Sequence, residues 1–447
     1  MDALYKMDAL YELRIVDGPV AAACWILASC GTAALCWVIL GGAPFRPARL
    51  VVLTAVSLGA VALTATIHWL LVECASVFPE NLPGEVLAAS GFGLLGLLLG
   101  ATALARIGPR RGAWGQRGLA VASAASTALL SGQMVNAYFG LSPTLGDLVG
   151  RTSAEVRLLE RELRRSAAPA VPLAAWVPPA KGLPHAGELR TADIPGTASG
   201  FRARPAYIYL PPAYFADTRP ELPVLLLMSG QPGNPSDWLT GGRLKAKLDR
   251  FAAEHAGVAP VGVVVDPLGS PSANTLCMDT KLGAAESYLV HDVVPWIKES
   301  LSVAKGPEHW ASAGFSFGGT CAVQLLAKHP ELVHSALGFA AEEEPALAKD
   351  RSKTIGMAFD GDAAAFDAQV PAHHFATRRL EGSLLFLAVG SKDHDFVGQA
   401  RVLGDQARTA GAAVEMVFVQ GEGHSWEMIA KAWGHGIRLL AERWGIG

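Results

Sequence analysis

The chain alternates between two hydrophobic regimes. Up to about residue 140, apolar residues come in long uninterrupted runs, about Pro19 to Leu40, Leu50 to Cys74, Val86 to Ala105 and Gly118 to Phe139. Each is close to the roughly 20 residues that a helix needs to cross the hydrocarbon core of a bilayer. Beyond residue 200 the runs shorten to five to seven residues and alternate with amphipathic stretches, the pattern of an α/β sandwich with a mainly parallel sheet. Predicted strands include AYIYL (206–210), PVLLLM (223–228), PVGVVVD (260–266), Trp310 to Ala313, Ser335 to Ala340, SLLFLAV (383–389) and Val414 to Val419. Predicted helices lie between them, at about 242–255, 286–301, 320–328 and 397–409, with a last one ending near Trp444.

The pattern divides the chain into a tail (1–18), a four-helix transmembrane domain (19–140), a linker (141–199) and an α/β domain (200–447). The repeated MDALY at the start marks residues 1–6 as an expression scar or a misassigned start, and they are left out of the fold argument. Within the proline-rich linker, TSAEVRLLERELRRSAA reads as an amphipathic helix. Thr152 and Glu155 form a capping-box pattern, and Val156, Leu159 and Leu163 recur at helical spacing. Ringed by Arg151, Arg157, Arg161, Arg164 and Arg165, that helix fits an anionic membrane surface or the side of the hydrolase domain equally well.

Charge orients the first region. Arg46 and Arg49 lie between spans one and two, and Arg106, Arg110, Arg111 and Arg117 between spans three and four. The gap between spans two and three holds Glu80 and Glu85. The positive-inside rule then places both arginine loops in the cytoplasm, with both termini and the hydrolase domain outside. Gly96 and Gly100 form a G-x-x-x-G pair suited to close helix contact. His68 and Glu73 are the ionisable residues in the outer part of span two.

A mean hydropathy of +0.30 agrees with a membrane part. With 17% charged residues and a net charge of −3, nucleic acid is not an expected partner. Six scattered cysteines make neither a disulfide framework nor a zinc site, and no cofactor is expected. Cys277 and Cys321 would lie in an oxidising compartment, where a disulfide between them is open, as is a core position for Cys321.

Chemistry concentrates at three strand ends. Gly314-Phe315-Ser316-Phe317-Gly318 is a G-x-S-x-G pentapeptide between a predicted strand and a predicted helix, the arrangement that a nucleophile elbow requires. Asp393 follows the 383–389 strand and His424 follows the 414–419 strand, which completes the order Ser, Asp, His. An acyl-transfer serine needs a base to take its proton and a carboxylate to hold that base. Asp395 is the fallback acid, and the competing role for either aspartate is to cap the next helix. Among twelve histidines, His424 stands out because Gly421-Glu422-Gly423-His424-Ser425-Trp426 directly follows the last strand, whereas His373 and His374 precede the acid strand and His291 and His309 precede the serine. The oxyanion hole is expected from the backbone N–H of Phe317 and that of Gln231, in the loop after PVLLLM. The run Glu342-Glu343-Glu344 reads as a solvated loop, and the long region 345–380 as a lid or substrate wall.

LPVLLLMSGQPGNPSDW, AGFSFGG, AFDGDAAAFDAQVP and GEGHSW resemble the putative-esterase family, which includes esterase D, feruloyl and enterobactin esterases and secreted mycolyltransferases. The resemblance covers about residues 200–447. It implies an α/β-hydrolase fold and an ester-cleaving or acyl-transferring enzyme, with Ser316 as nucleophile, His424 as base and Gln231 in the oxyanion loop. Two positions depart from the family's patterns. Mycolyltransferases typically carry glutamate where this chain has Asp393, and many esterases have His-Gly where it has Ser229-Gly230. The reading is a membrane-anchored extracytoplasmic serine esterase acting on a lipid, glycolipid or cell-envelope ester. An acyltransferase using a sugar or lipid hydroxyl is the alternative, and a non-catalytic scaffold the alternative of another class.

Overall fold

The computed structural model describes residues 10–41, 47–107, 112–149, 155–165, 169–179 and 181–446. Arg46, Arg110, Arg111, Arg151, Thr152 and the tail up to residue 9 lie outside the described residues. The chain forms two compact units, residues 1–153 with 348–350, and residues 154–347 with 351–447.

The first unit holds four long helices, α1 (Gly18–Leu40), α2 (Pro47–Trp69), α3 (Gly84–Ile107) and α4 (Trp114–Phe139). A π-helical turn, Leu70–Cys74, extends α2. All four are long and apolar enough to cross a membrane. Their large apolar side chains, among them Trp37, Leu58, Val61 and Leu129, are exposed. The contacts between helices combine a small apolar cluster around Leu35, Ile39 and Leu99 with small residues at the closest approaches. A Cβ on Gly96 would fall 1.7 Å from Thr127 Oγ1, and one on Gly100 would fall 2.6 Å from Ala124 Cβ. Backbones can approach this closely only where there is no side chain to separate them.

The second unit is built on a nine-stranded sheet: β1 (Val156–Leu158), β2 (Glu188–Ala192), β3 (Ala206–Leu210), β4 (Val224–Met228), β5 (Val261–Val265), β6 (Trp310–Phe315), β7 (Ser335–Phe339), β8 (Leu384–Gly390) and β9 (Ala413–Val419). Their spatial order is β1-β2-β3-β5-β4-β6-β7-β8-β9. Only β3 runs against its neighbours. β4, β6 and β7 are buried at every residue, as strands covered on both faces by helices must be. The covering helices include α5 (Leu244–Glu254), α6 (Val294–Ser300), α7 (Phe317–Lys328), α11 (His394–Thr409) and α12 (Trp426–Trp444). Between β7 and β8 stand the short helices α8 (Arg351–Phe359), α9 (Ala363–Asp367) and α10 (Pro371–Thr377). This is the predicted α/β hydrolase architecture, preceded by an all-α part.

The linker is where the sequence reading fails. The expected amphipathic helix is instead strand β1 followed by a 3₁₀ turn, Arg161–Leu163. β1 pairs in parallel with β2, so the sheet starts well before residue 200. Leu159 and Leu163 pack on the hydrolase core, and Glu160 accepts a hydrogen bond from the buried Arg190 at 2.6 Å. A sheet edge and a buried guanidinium in need of a carboxylate outweigh local helix propensity.

Candidate active site

Ser316 sits between β6 and α7 with φ 55° and ψ −123°, a left-handed conformation that a non-glycine residue adopts only under constraint. The constraints are visible. Ser316 N–H donates to Phe339 O on β7 at 2.8 Å, and Ser316 O accepts from Thr320 N at 3.0 Å. The flanking glycines are obligatory for contact reasons: a Cβ on Gly314 would lie 2.0 Å from Gly318 O, and one on Gly318 would lie 2.2 Å from Met228 O. The tight turn leaves Ser316 partly exposed between two fully buried elements.

The loops after β8 and β9 close on each other through Lys392 N–H to Glu422 O and Ser391 N–H to Val419 O, both 2.9 Å. They bring Asp393 Oδ2 to 2.8 Å from His424 Nδ1, with both side chains nearly buried. Asp393 occupies the cap position of α11, yet its side chain makes no capping hydrogen bond. That answers the competing role, because its carboxylate is turned to the histidine. Asp395, the fallback, is exposed in the first turn of α11. An acceptor at Nδ1 fixes the tautomer that leaves Nε2 to take a proton. The His424 ring is held between Phe315, at 4.8 Å, and Phe396, at 4.6 Å between ring centres. Phe315 is the residue before the serine, so the strand end that presents Ser316 also packs the base. Neither phenylalanine was singled out in the sequence.

Facing the elbow is the loop after β4. Gly230 approaches so closely that a Cβ there would lie 3.4 Å from Ser316 Cβ. Gln231 follows, joined to Pro232 by a cis peptide, and its side chain donates to Ser272 O at 3.1 Å. Phe317 opens α7, so its N–H has no intrahelical acceptor. The loop is braced by Arg204, whose guanidinium donates to Gly233 O at 3.0 Å and pairs with the buried Asp266 at 2.7 Å. Asp237 closes the loop by accepting from Asn234 N at 2.8 Å. Burial pushes the Asp237 carboxyl up to about 6, against the opposing pull of Asn234 N–H and Arg204.

The acidic run is only partly the solvated loop expected. Glu342 is buried, donating its N–H to Thr320 Oγ1 at 2.9 Å and accepting from that hydroxyl at 3.3 Å. Glu343 N–H donates to Gln399 on α11. Cys277 and Cys321 form a disulfide. No group of three or more His, Cys, Asp or Glu that could hold a metal ion occurs among the described residues.

The family model described as putative esterase matches residues 200–435, more than half of the chain. The chain belongs to the putative-esterase family. An uncharacterised protein of Corynebacterium glutamicum is 36% identical over 252 residues, which cover 54% of this chain and 59% of that relative, so less than two thirds of the relative's length is spanned. Among solved structures, a ferulic acid esterase aligns at TM-score 0.49 and 19% identity, over 58% of this chain and 99% of that one. The S-formylglutathione hydrolase of Agrobacterium tumefaciens aligns at TM-score 0.48 and 16% identity, over 60% and 98%. MPT51 of Mycobacterium tuberculosis aligns at TM-score 0.42 and 16% identity, over 60% and 99%.

Proposed function

We propose that this putative-esterase-family chain is a membrane-anchored serine esterase that cleaves a lipid or cell-envelope ester outside the cytoplasm. The observation that carries the proposal is the Asp393 carboxylate on His424 Nδ1, with the imidazole packed on Phe315, the residue before a serine on a strained elbow. In the mechanism, Ser316 Oγ attacks the ester carbonyl carbon while His424 Nε2 takes the hydroxyl proton. The oxyanion accepts hydrogen bonds from the N–H groups of Phe317 and Gln231. His424 then gives its proton to the leaving alcohol as the carbon–oxygen bond breaks, and an acyl-serine remains. Water, deprotonated by the same imidazole, attacks the acyl carbonyl and releases the acid and Ser316.

Three observations support the location: four helices of spanning length, arginines gathered in alternate loops, and a disulfide, which persists in oxidising compartments. Anchoring suits a substrate held in the same bilayer, since enzyme and ester then meet in two dimensions. Acyl transfer to a sugar or lipid hydroxyl shares the first half-reaction and differs only in what replaces water.

The test is fluorophosphonate labelling and hydrolysis of a short-chain ester by the full chain, with trehalose or a glycolipid offered as acceptor. Labelling and hydrolysis are expected, and Ser316→Ala abolishes both, a loss on the order of 10⁴-fold or more in kcat. Transfer exceeding hydrolysis replaces the esterase by the acyltransferase, and a wild type that is neither labelled nor active leaves a scaffold protein.

A further inference from the structure

Residues 267–284 follow β5 and touch the loop after β4, the elbow helix and the region between β7 and β8. The segment begins under Asp266, which accepts from the N–H groups of Leu268 and Gly269 at 3.1 Å. It then meets the oxyanion loop, where Gly233 N–H donates to Pro271 O at 2.9 Å and the Gln231 side chain to Ser272 O. Next it crosses the elbow helix: Cys277 is bonded to Cys321, five residues after Ser316, and Gln324 donates to Leu276 O at 3.0 Å. Finally it holds the region between β7 and β8. Asn274 donates to Ala346 O at 2.9 Å, and Leu276 and Met278 are buried against Leu347 and Ala358 in an apolar cluster separate from the main core.

The crossing point is strained. Leu276 and Cys277, neither of them glycine, stand consecutively at φ 58° and 55°. Such a pair persists only where its surroundings over-determine it. Here the side chains of Asn274 and Thr275 accept from the N–H groups of Leu276 and Cys277, while the disulfide fixes the second residue to α7. Helix α8, which carries Ala358, meets this segment through four buried apolar residues rather than through the sheet's core. Its position relative to α7, to which Cys277 is bonded, therefore depends on where Leu276 and Met278 point.

We infer that residues 267–284 are a positioning strap, locked by the Cys277–Cys321 disulfide, that fixes the wall formed by α8 relative to Ser316 and so sets the preference for acyl-chain length. The inference rests on the proposal that Ser316 is acylated by an ester. Without the cross-link, Leu276 and Cys277 relax toward negative φ and turn Leu276 and Met278 away from Leu347 and Ala358. Long acyl chains then lose a wall that acetyl groups never reach.

The test compares p-nitrophenyl decanoate with p-nitrophenyl acetate on the full chain in detergent, for the wild type, the double variant Cys277→Ala/Cys321→Ala, and Leu276→Ala, which keeps the disulfide. The expected result is a fall of about tenfold in the decanoate-to-acetate ratio of kcat/KM for the double variant, expressed mainly in KM for decanoate, and a smaller fall in the same direction for Leu276→Ala. An unchanged ratio in any folded variant overturns the strap. Should the double variant fail to fold, Leu276→Ala decides alone. A wild type that hydrolyses neither ester and resists fluorophosphonate counts against the esterase proposal itself, which separates the two failures.

Discussion

The two units differ in what their surfaces carry. In the helical unit, Trp37, Leu58, Val61 and Leu129 face outward, while Gly31, Gly96, Gly100, Ser123 and Thr127 pack between helices beside a small apolar cluster that includes Leu35, Ile39 and Leu99. In the hydrolase unit, Leu225, Leu226 and Leu227 are fully buried, and the polar groups inside, such as Asp266 and Glu342, come with hydrogen-bond donors. Exposed leucine, valine and tryptophan cost least in an apolar medium, where close contact between small residues adds to the packing. In water, apolar burial at about 25 cal/mol per Å² supplies most of it.

If the division is right, catalysis lives in the hydrolase unit alone, and the largest effects are expected there. Asp393→Asn leaves His424 without a carboxylate to hold its tautomer, and kcat should fall on the order of 10³- to 10⁴-fold, whereas Asp395→Asn should stay within about twofold. Equal losses in the two variants would break the assignment of the acid.

An intermediate effect tests the other unit. Gly96→Leu drives a side chain into Thr127, and overpacking of this kind costs about 1 to 3 kcal/mol. Thermal unfolding of the helical unit in detergent should shift down, while kcat on a soluble short-chain ester stays within about twofold. A parallel loss of soluble-ester activity would show that the units are not energetically separable.

The smallest effect is one of pH. Because folding raises the Asp237 carboxyl to about 6, the folded state holds that proton more tightly than the unfolded chain does. Its contribution to stability is therefore complete below about pH 4 and is lost as pH rises through about 6, a change on the order of 2 to 3 kcal/mol. Asp237→Asn, which can still accept from Asn234 N–H, should flatten denaturant midpoints across that window. An unaltered slope would remove Asp237 from the account.

The site was more legible than the scaffold that supports it. Ser316, Asp393 and His424 stand out as candidates because each comes directly after a short apolar run, and the fold brings Asp393 onto His424 as their chain order leads one to expect. The aromatic support was not readable: Phe315 and Phe396 are ordinary apolar residues until the fold places the imidazole between them. The burial of Glu342 had no local signal either, since its partner Thr320 is 22 residues away. The stretch after Arg151 shows the limit of periodicity. Val156, Leu159 and Leu163 satisfy a helical spacing, but the N–H of Leu159 is taken by Thr191 O across the sheet, and no residue near it announces that partner.

That misread stretch has a further consequence for association. β1 covers the outer edge of β2 with only three residues, and Arg157 and Glu155 form an exposed ion pair along it. A long bare edge invites another chain to add a strand, whereas a short charged one offers too few hydrogen bonds to repay the desolvation. Copies of one chain at high local concentration meet edge to edge, and this sheet carries a charged guard against pairing between them.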